Sequence, residues 1–582
     1  MKFEAIARDC NTRTGYAEIE GKKIKVPNIF WYSSPRLPAP SFAEIKLGED
    51  IGSGGSFFYP KECTFCIPPR LIYPYAFPEE FHKKAFSWNN THTNIFEIVS
   101  AKGGEAKNGF IFVLANSREV FSNPKNFVEC IVKVRGKIGY KLLYAPGIAT
   151  PVNLAFLAYC GIDFFDSLQI ILKSRKGIYF TSDGEHLIEE LDEYPCSCPF
   201  CMKGIGKFED LLMHNYEVMK NELIKISQYI KQGRLREYVE GKANLSPHLA
   251  SIIRLMDARH YEYQEKRYPL TGKKFVSSLY SLSRPDIKRF RERVLNRYKK
   301  PDSAKILLLL PCSAKKPYSL SKSHKIFNRI ISNCKNRYAI HEVIITSPLA
   351  IVPRELEYTY PSAHYDISTI GQWYRDEIEM IEKSLQKYLR RNKYEVIINH
   401  LPEELSSLSL NTEIINTCSN HPTSEESLKK LSSSLAIAED FEKISHTKRR
   451  YENTLSMLLF QFGNIANKFL RGCKVKGKFP EYKIYYEEKQ LASFVAKRGL
   501  FSLTFAGGKK MGKNYWVEIE DFKPKGSIFS VGVINADERI RIGDETIAFY
   551  EDELRAVGVA KMNAEEMVES DAGEAIKVRH YK

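Results

Sequence analysis

Short apolar runs broken by Pro and Gly open the chain. GYAEIEG, KIKVPNIFWY and FAEIKL, all before about Glu80, alternate at the two-residue period of strands and predict strands joined by turns. Between Thr93 and Phe180 the pattern becomes strand, helix, strand: FIFVLAN, ECIVKVRG and KLLYAPGIAT, then the apolar helix VNLAFLAYCG, then IDFFDS. Such alternation predicts βα units and a parallel sheet or barrel. Residues 205–300 read as mostly helical and end in the basic helix PDIKRFRERVLNRYKKP. A second α/β unit follows, with strands KILLLLP, EVIITSP and YEVIINHL alternating with helices HKIFNRIISNC, GQWYRDEIEMIEKSLQKYLRRN and EESLKKLSSSLAIAEDF. Right-handed crossovers would make these strands parallel, so their carboxyl ends share one edge. Beyond Lys443 one helix, RRYENTLSMLLFQFGNIANKFL, leads into a tail of short strands (YWVEIED, SIFSVGVI, TIAFYE, AVGVAK, AIKVRHY) with the pattern of a small β-barrel.

A chain of 582 residues holds about three or four domains at roughly 150 residues each. Hydrophobic residues at 43% and aromatic at 12% exclude a disordered or low-complexity protein. A net charge of +17 favours an extended polyanion as partner, nucleic acid before a membrane surface. The longest apolar run, Ile306 to Leu310, is far short of the ~20 residues that cross a bilayer. Glu4 and Asp9 interrupt the stretch a signal peptide would keep apolar, so a cytoplasmic protein without membrane association is expected.

The twelve cysteines are too sparse for a disulfide scaffold, and three of them crowd into PCSCPFC. With the following MHN, this segment offers Cys196, Cys198, Cys201 and His214, a closed Cys3His set that suits structural Zn2+ and leaves no position for water. Cys63 and Cys66 form a C-x-x-C with no second pair nearby and read as idle thiols. GGKKMGKN nearly spells a phosphate-binding loop, but Asn514 stands where the Mg2+-binding Ser or Thr is required, so no ATP or other nucleotide cofactor is expected. Lys509, Lys510 and Lys513 read as a basic loop against a phosphate backbone or as a solvated turn. Lys288, Arg289, Arg291, Arg293, Arg297, Lys299 and Lys300 are either a nucleic-acid clamp or a solvated helix face.

The shared strand edge carries Cys312 and Ser313, Thr346 and Ser347, and Asn399 and His400, and in open parallel sheets ligands bind outside such edges. In PCSAKKPYSLSKSH, Cys312 leaves the strand tip, followed by Lys316, Tyr318, Ser321 and His324. A thiol near cations and a helix N-terminus can have a lowered pKa, and its thiolate adds to electrophilic carbon; a packed Cys beside a Lys-Pro turn is the plainer alternative. SPLAIVPRELEYTYPSAHYD adds Arg354, Glu355, Glu357, Tyr360, His364, Tyr365 and Asp366 toward the same edge.

The run Pro311, Cys312, Lys316, Pro317, Tyr318, Ser321, His324 resembles the signature of the archaeosine synthases, paralogues of archaeal tRNA-guanine transglycosylases. GIDFFDS with SRKGIYFTSDG resembles the transglycosylase strand that carries the nucleophilic aspartate, here Asp166; PCSCPFC and LLMHN match that superfamily's zinc site, and IGDETIAFY, AVGVAKMNAEEM and GEAIKVRH resemble a PUA domain. The resemblance implies a multidomain α/β protein. A trimmed TIM-barrel-like transglycosylase domain with its zinc site would span 1–295, a central parallel α/β domain 296–440, an α+β connector 441–508, and a PUA RNA-binding β-barrel 509–582. One departure stands out: where the transglycosylases supply a basic aspartate, SGGSFF places Ser53, and Phe58 replaces a glutamine. A hydroxyl is no anionic base at neutral pH, so base exchange is expected to be lost while tRNA is still held.

The activity implied is addition of an amine, lysine by family, to the nitrile of 7-cyano-7-deazaguanine in the D-loop of tRNA. A radical SAM lyase would then cleave the adduct, and the protein would be a homodimer. A transglycosylase that exchanges guanine and a non-catalytic tRNA-binding subunit are the alternatives. Catalytic candidates are Cys312, Lys316, Tyr318, Ser321, His324, Asp366 and Asp166. In this scheme Cys312 attacks the nitrile or shapes the pocket, His324 or Tyr318 shuttles protons, and Lys316 orients or stabilises charge. Substrate contacts fall to Ser347, Arg354, Glu357, His364 and Asn399, with Asp366 and Glu357 holding the ammonium groups of lysine. Contacts to tRNA fall to Lys509, Lys510, Lys513, Lys577 and Arg579.

Overall fold

The computed structural model describes residues 1–19, 21–50, 57–58, 72–88, 95–104, 106, 108–368, 372–405 and 414–582. Ser53, Cys63 and Cys66 lie outside the described residues. The chain forms two compact units, one of Met1–Tyr268, Phe529–Val533 and Met562–Ala575, the other of Pro269–Ile528, Ile534–Lys561 and Ile576–Lys582.

The first unit begins with an antiparallel meander, β1 (Lys2–Asp9), β2 (Thr12–Ile19) and β3 (Lys22–Val26). As the alternation in GYAEIE requires, Ala17 and Ile19 are buried while Tyr16 and Glu18 face out. Seven further strands form one sheet: β4 (Asn28–Ser33), β5 (Ile45–Asp50), β6 (Phe57–Phe58), β7 (Phe96–Val99), β8 (Ile111–Leu114), β9 (Leu142–Tyr144) and β10 (Phe164–Asp166). Six of them run parallel in the order β5-β4-β10-β9-β8-β7, and β6 lies antiparallel on β5. The first parallel strand, β4, therefore pairs with the last, β10, which is the neighbour relation of a βα barrel. Phe30 stacks on Phe164 across this pair with ring centroids 5.0 Å apart. Among the described residues the sheet still has two ends, β6 and β7, so the expected barrel is not seen closed.

The apolar segment read as a helix is Leu154–Tyr159, wholly buried. A hairpin, β11 (Ile178–Phe180) and β12 (Glu185–Leu187), precedes the long helix Phe208–Gln232. The segment Met562–Ala575 belongs to this unit through polar contacts: Glu566 accepts from Arg8 Nε at 2.8 Å, Lys266 pairs with Glu565 at 2.5 Å, and the Asn563 amide donates to the Tyr140 hydroxyl at 2.5 Å.

The second unit starts at Pro269 and so takes in the helix Pro285–Asn296, which the boundary expected at 295 assigned to the first domain. The buried face of that helix explains the difference. Phe290 lies 5.3 Å from the ring of Phe460, and Arg291 donates to the Pro348 carbonyl at 2.8 Å. After β13 (Phe275–Val276) come β14 (Ile306–Pro311), β15 (Ile340–Thr346), β16 (Ala350–Pro353), β17 (Tyr365–Asp366), β18 (Val396–Asn399) and β19 (Ile415–Asn416). The central sheet has the order β16-β15-β14-β18-β19. β14, β15 and β18 are parallel as the crossovers require; β16 turns back antiparallel on β15, and β13 pairs with β17 in a sheet of its own. Ile306, Leu308, Leu310 and Phe327 centre the core under this sheet.

The expected single helix after Lys443 is two, His446–Phe462 and Ile465–Leu470, because Gly463 takes φ +71° and ends the first. A four-stranded antiparallel sheet follows: β20 (Lys474–Lys476), β21 (Lys483–Tyr486), β22 (Lys489–Val495) and β23 (Leu500–Leu503). The expected basic loop is instead largely the helix Phe505–Met511. Its glycines serve packing, since a Cβ on Gly507 would meet the Leu491 carbonyl oxygen at 2.1 Å and one on Gly508 would meet Val557 Cγ2 at 2.4 Å. The tail strands β24 (Trp516–Ile519), β25 (Ser527–Phe529), β26 (Val533–Ala536), β27 (Glu545–Tyr550), β28 (Glu553–Ala560) and β29 (Glu574–Tyr581) form one sheet in the order β25-β29-β28-β27-β24-β26.

Candidate functional site

The apolar strand β14 runs buried through the centre of its sheet and releases the chain at Pro311, so Cys312 stands at the carboxyl edge beside the ends of β15 and β18. The next twelve residues are held in place one by one. Ser321 caps the helix Lys322–Asn333 by accepting from the His324 amide at 3.2 Å. His324 Nε2 donates to the Pro311 carbonyl at 2.9 Å, and its Nδ1 accepts from Arg354 Nη2 at 2.8 Å. Tyr318 is fully buried and shares a hydrogen bond of 2.8 Å with the Tyr365 hydroxyl. The signature spacing thus ties the loop after β14 back to the tip of β14.

Beneath the loop, Arg354 pairs with Glu342 at 2.6 Å and Glu357 at 3.1 Å, and Glu357 accepts from the Ser319 amide at 2.9 Å. Burial opposes the Arg354 charge, but the two carboxylates outweigh it and raise its pKa. Burial, helped by the same guanidinium, depresses His324 to about 3. His324 is therefore a neutral pin with both ring nitrogens engaged, which takes from it the proton-shuttling part expected from sequence. Arg354 and Glu357 likewise hold the loop, and Glu357 is buried.

What faces the edge is smaller. Cys312 and Lys316 are half-buried, and Lys316 Nζ lies 4.0 Å over the Tyr365 ring. Among the described residues that Nζ has no hydrogen-bond partner, and neither do Ser347 Oγ or His364 Nδ1, all three buried. Burial lowers the Lys316 pKa against the opposing pull of Cys312 and Asp366. Burial pushes the Cys312 thiol up, countered by a hydrogen bond from Thr346 and by the Lys316 charge. The lowered thiol pKa expected from nearby cations is thus reversed, because desolvation outweighs one ammonium. Thr346 and Tyr365, bonded to each other at 2.5 Å, connect the thiol to the Tyr318 hydroxyl; the sequence named both residues without giving them a part. Asp366 sits half-exposed, paired with Lys274 at 2.6 Å. Asn399 is engaged with Asn416 at 3.0 Å and with the Leu401 amide at 3.2 Å, so it shapes its own strand end.

In the first unit Asp166 is buried and fully engaged. It accepts from Tyr144 Oη at 2.8 Å, Gly147 N at 2.6 Å and Leu168 N at 2.9 Å. An adjacent cavity of about 600 Å³ is lined by Gly147 and Gln169, with Asp166 behind its wall. Cys196, Cys198, Cys201 and His214 bring their ligand atoms within 4.8 Å of one another, and His214 Nδ1 lies 3.5 Å from Cys198 Sγ and 3.3 Å from Cys201 Sγ. A tetrahedral centre with ordinary metal–sulfur and metal–nitrogen bonds sets that edge at about 3.5 Å. His214 Nε2 donates to the Phe180 carbonyl at 2.9 Å, which leaves Nδ1 free to ligate. The group can hold one metal ion.

Two residues expected to face tRNA are tied to the protein. Lys510 Nζ donates to the Arg471 carbonyl at 3.0 Å and lies 3.7 Å over the Tyr486 ring, and Arg579 pairs with the buried Glu545. Lys513 pairs with Asp552 at 2.6 Å, while Lys509 and Lys577 are exposed.

Comparison with known families matches residues 109–248 to queuine tRNA-ribosyltransferase, 287–435 to a domain of unknown function (DUF5591), and 519–582 to the PUA domain. The chain is 34% identical to the archaeosine synthase subunit alpha of Methanosarcina acetivorans, over 89% of this chain and 88% of that one. It is 33% identical to the archaeosine synthase of Haloferax volcanii, over 83% and 84% respectively. A tRNA-guanine(15) transglycosylase of Methanococcus vannielii is 25% identical over 74% of this chain and 64% of its own.

Proposed function

Because the chain belongs to the archaeosine synthase family and is a tRNA-modifying enzyme of archaeosine biosynthesis, we propose that the carboxyl edge of β14, β15 and β18 is where an amine adds to the nitrile of 7-cyano-7-deazaguanine in tRNA. The observation that carries this reading is the amine of Lys316, buried over the Tyr365 ring, under the pull of the Cys312 thiol, and without a hydrogen-bond partner among the described residues. A buried ammonium without an acceptor is costly, and a nitrile nitrogen or the charge that develops on it is the acceptor such a group suits.

The chemistry is an addition with no change of oxidation state. Cys312 Sγ bonds to the nitrile carbon while its proton passes through Lys316 to the nitrile nitrogen, giving a thioimidate. The donor amine then forms a C–N bond to the same carbon as the C–S bond breaks, and the departing sulfur takes up the amine's proton. An amidine and the free thiol remain. The Thr346–Tyr365–Tyr318 hydroxyl chain orients the thiol, and burial of the edge keeps water from competing with the amine.

Lysine is the donor in this reading. Asp366, half-exposed and paired with Lys274, is placed to receive one of its ammonium groups by exchange. The adduct would pass to a radical SAM lyase. The metal of the Cys3His group is Zn2+, closed and structural, and the β4–β10 pairing supports a trimmed barrel that holds the tRNA.

The test is purified protein with cyano-modified tRNA and each amino acid in turn, read by nucleoside mass spectrometry. A mass gain of one lysine on the modified base is expected, and absence of an adduct with every amine overturns the reading. A Cys312→Ala variant with unchanged turnover removes the thioimidate.

A further inference from the structure

The arginines of the basic helix are not a solvated face. Arg289 and Arg293 are buried, Arg291 donates to backbone carbonyls, and the row ends at Arg297, just past the C-terminus of Pro285–Asn296. Arg297 opens into a cavity of about 610 Å³ in the second unit, together with Lys468, Arg539, Asn464, Asn514 and Phe462. Three cations line it and no carboxylate does. Arg539 is already held by Asp537 at 2.5 Å, and Lys468 is exposed. Among the described residues Arg297 Nη1 is buried with no hydrogen-bond partner.

Burial, helped by the nearby Arg297 guanidinium, brings the Arg293 pKa down to about 10. Asp544 opposes that shift on Arg293, while Nη1 of Arg297 stays without a hydrogen-bond partner among the described residues. A cavity lined by three cations, with one buried guanidinium nitrogen left unpartnered, is an incomplete arrangement, and a bound anion completes it. A lone phosphate ion would leave most of about 610 Å³ empty. A phosphodiester with its flanking sugar fits better, since forked Arg donors and Asn amides match phosphate and sugar oxygens.

We propose that this cavity is a phosphate-binding site for the RNA backbone, with Arg297 as the forked donor and Lys468 at its mouth. The inference rests on the tRNA reading above and adds a defined contact to it.

The experiment measures tRNA binding by the full-length protein from 50 to 300 mM salt for wild type, Arg297→Gln, Arg297→Lys and, as control, Lys429→Gln, whose side chain pairs with Glu425 within the helix Glu425–Leu435. Arg297→Gln should weaken binding roughly five- to twentyfold and lower the slope of log affinity against log salt by about 0.7 to 0.9, with partial rescue by Lys. Unfolding of the free Arg297→Gln protein should occur at the same or a higher temperature, because a repulsion is relieved. A lowered unfolding temperature with an unchanged slope would make Arg297 structural and overturn the proposal. Inorganic phosphate at 10 mM, against chloride of equal ionic strength, distinguishes the source: stabilisation of wild type by phosphate with tRNA binding untouched in the variant assigns the cavity to a free anion and overturns the RNA assignment. If wild type itself fails to bind tRNA, the functional reading falls; if it binds and Arg297→Gln binds equally well, only this site does.

Discussion

Replacing Lys316 with Met separates function from stability, because the two should move in opposite directions. The side chain puts an ammonium where, among the described residues, no hydrogen-bond acceptor meets it, and its charge is favoured by the Tyr365 ring at 4.0 Å and by the longer-range pull of Cys312 and Asp366. An unsatisfied buried polar group costs roughly 1–3 kcal/mol. A cation over an aromatic face returns about 0.5–1 kcal/mol at a partly exposed position. Met keeps the length and the packing of the methylenes, so the variant should be more stable by about 1 kcal/mol, a rise of roughly 1–2 °C in the melting transition of a unit this size. Loss of a group that carries a proton in the transition state lowers turnover by about 10²–10⁴. Calorimetry and single-turnover nucleoside mass spectrometry with cyano-modified tRNA read the two effects. A variant that is less stable yet turns over normally would show that Lys316 is a packing residue and would refute the reasoning.

Other consequences are as direct. His324, depressed to about 3 from an unfolded value near 6.5, must take up a proton on unfolding throughout that interval, so its contribution is complete above pH 6.5 and is lost as pH falls, by about 1.4 kcal/mol per unit. The urea midpoint should therefore drop between pH 6.5 and 5 in wild type and drop less in His324→Gln, and an equal drop would dismiss the neutral pin. Arg354→Met leaves Glu342 and Glu357 without their cation and should cost about 3–5 kcal/mol, with part of the loss recovered in Arg354→Met/Glu357→Gln; denaturant unfolding measures both. Chelation should release one metal ion per chain and lower the unfolding temperature of the first unit, with Cys198→Ser giving metal-free protein by elemental analysis. Labelled guanine should not be released from unmodified tRNA, because the Asp166 carboxylate is engaged by Tyr144, Gly147 and Leu168.

Periodicity read the central sheet well, since buried parallel strands such as ILLLLP are apolar throughout and their crossover helices are long and amphipathic. It missed β16 and β19, because a four-residue antiparallel return and a two-residue edge strand leave no period to detect. The Cys3His group was legible because its ligands lie close in the chain and are of the types that bind a metal, and the structure brings their ligand atoms within 4.8 Å of one another. The parts played by His324, Arg354 and Glu357 were not, because residue type marks a group as polar without telling whether its lone pairs face substrate or a neighbouring loop. The sign of the Cys312 shift was missed for a related reason: the sequence lists the cations near a thiol but says nothing of the water removed from it. Gly463 carried a signal that was passed over, an isolated glycine inside a helical pattern.

The passage of residues 562–575 into the first unit limits how this chain can be cut. An expression clone stopped before the terminal PUA domain would strip Arg8 of Glu566, Lys266 of Glu565 and Tyr140 of Asn563, leaving a guanidinium near the amino terminus without its counterion. Truncation would therefore injure the part of the protein it was meant to isolate. Impaired tRNA modification in such a deletion would report damage at the opposite end of the polypeptide as much as the loss of an RNA grip.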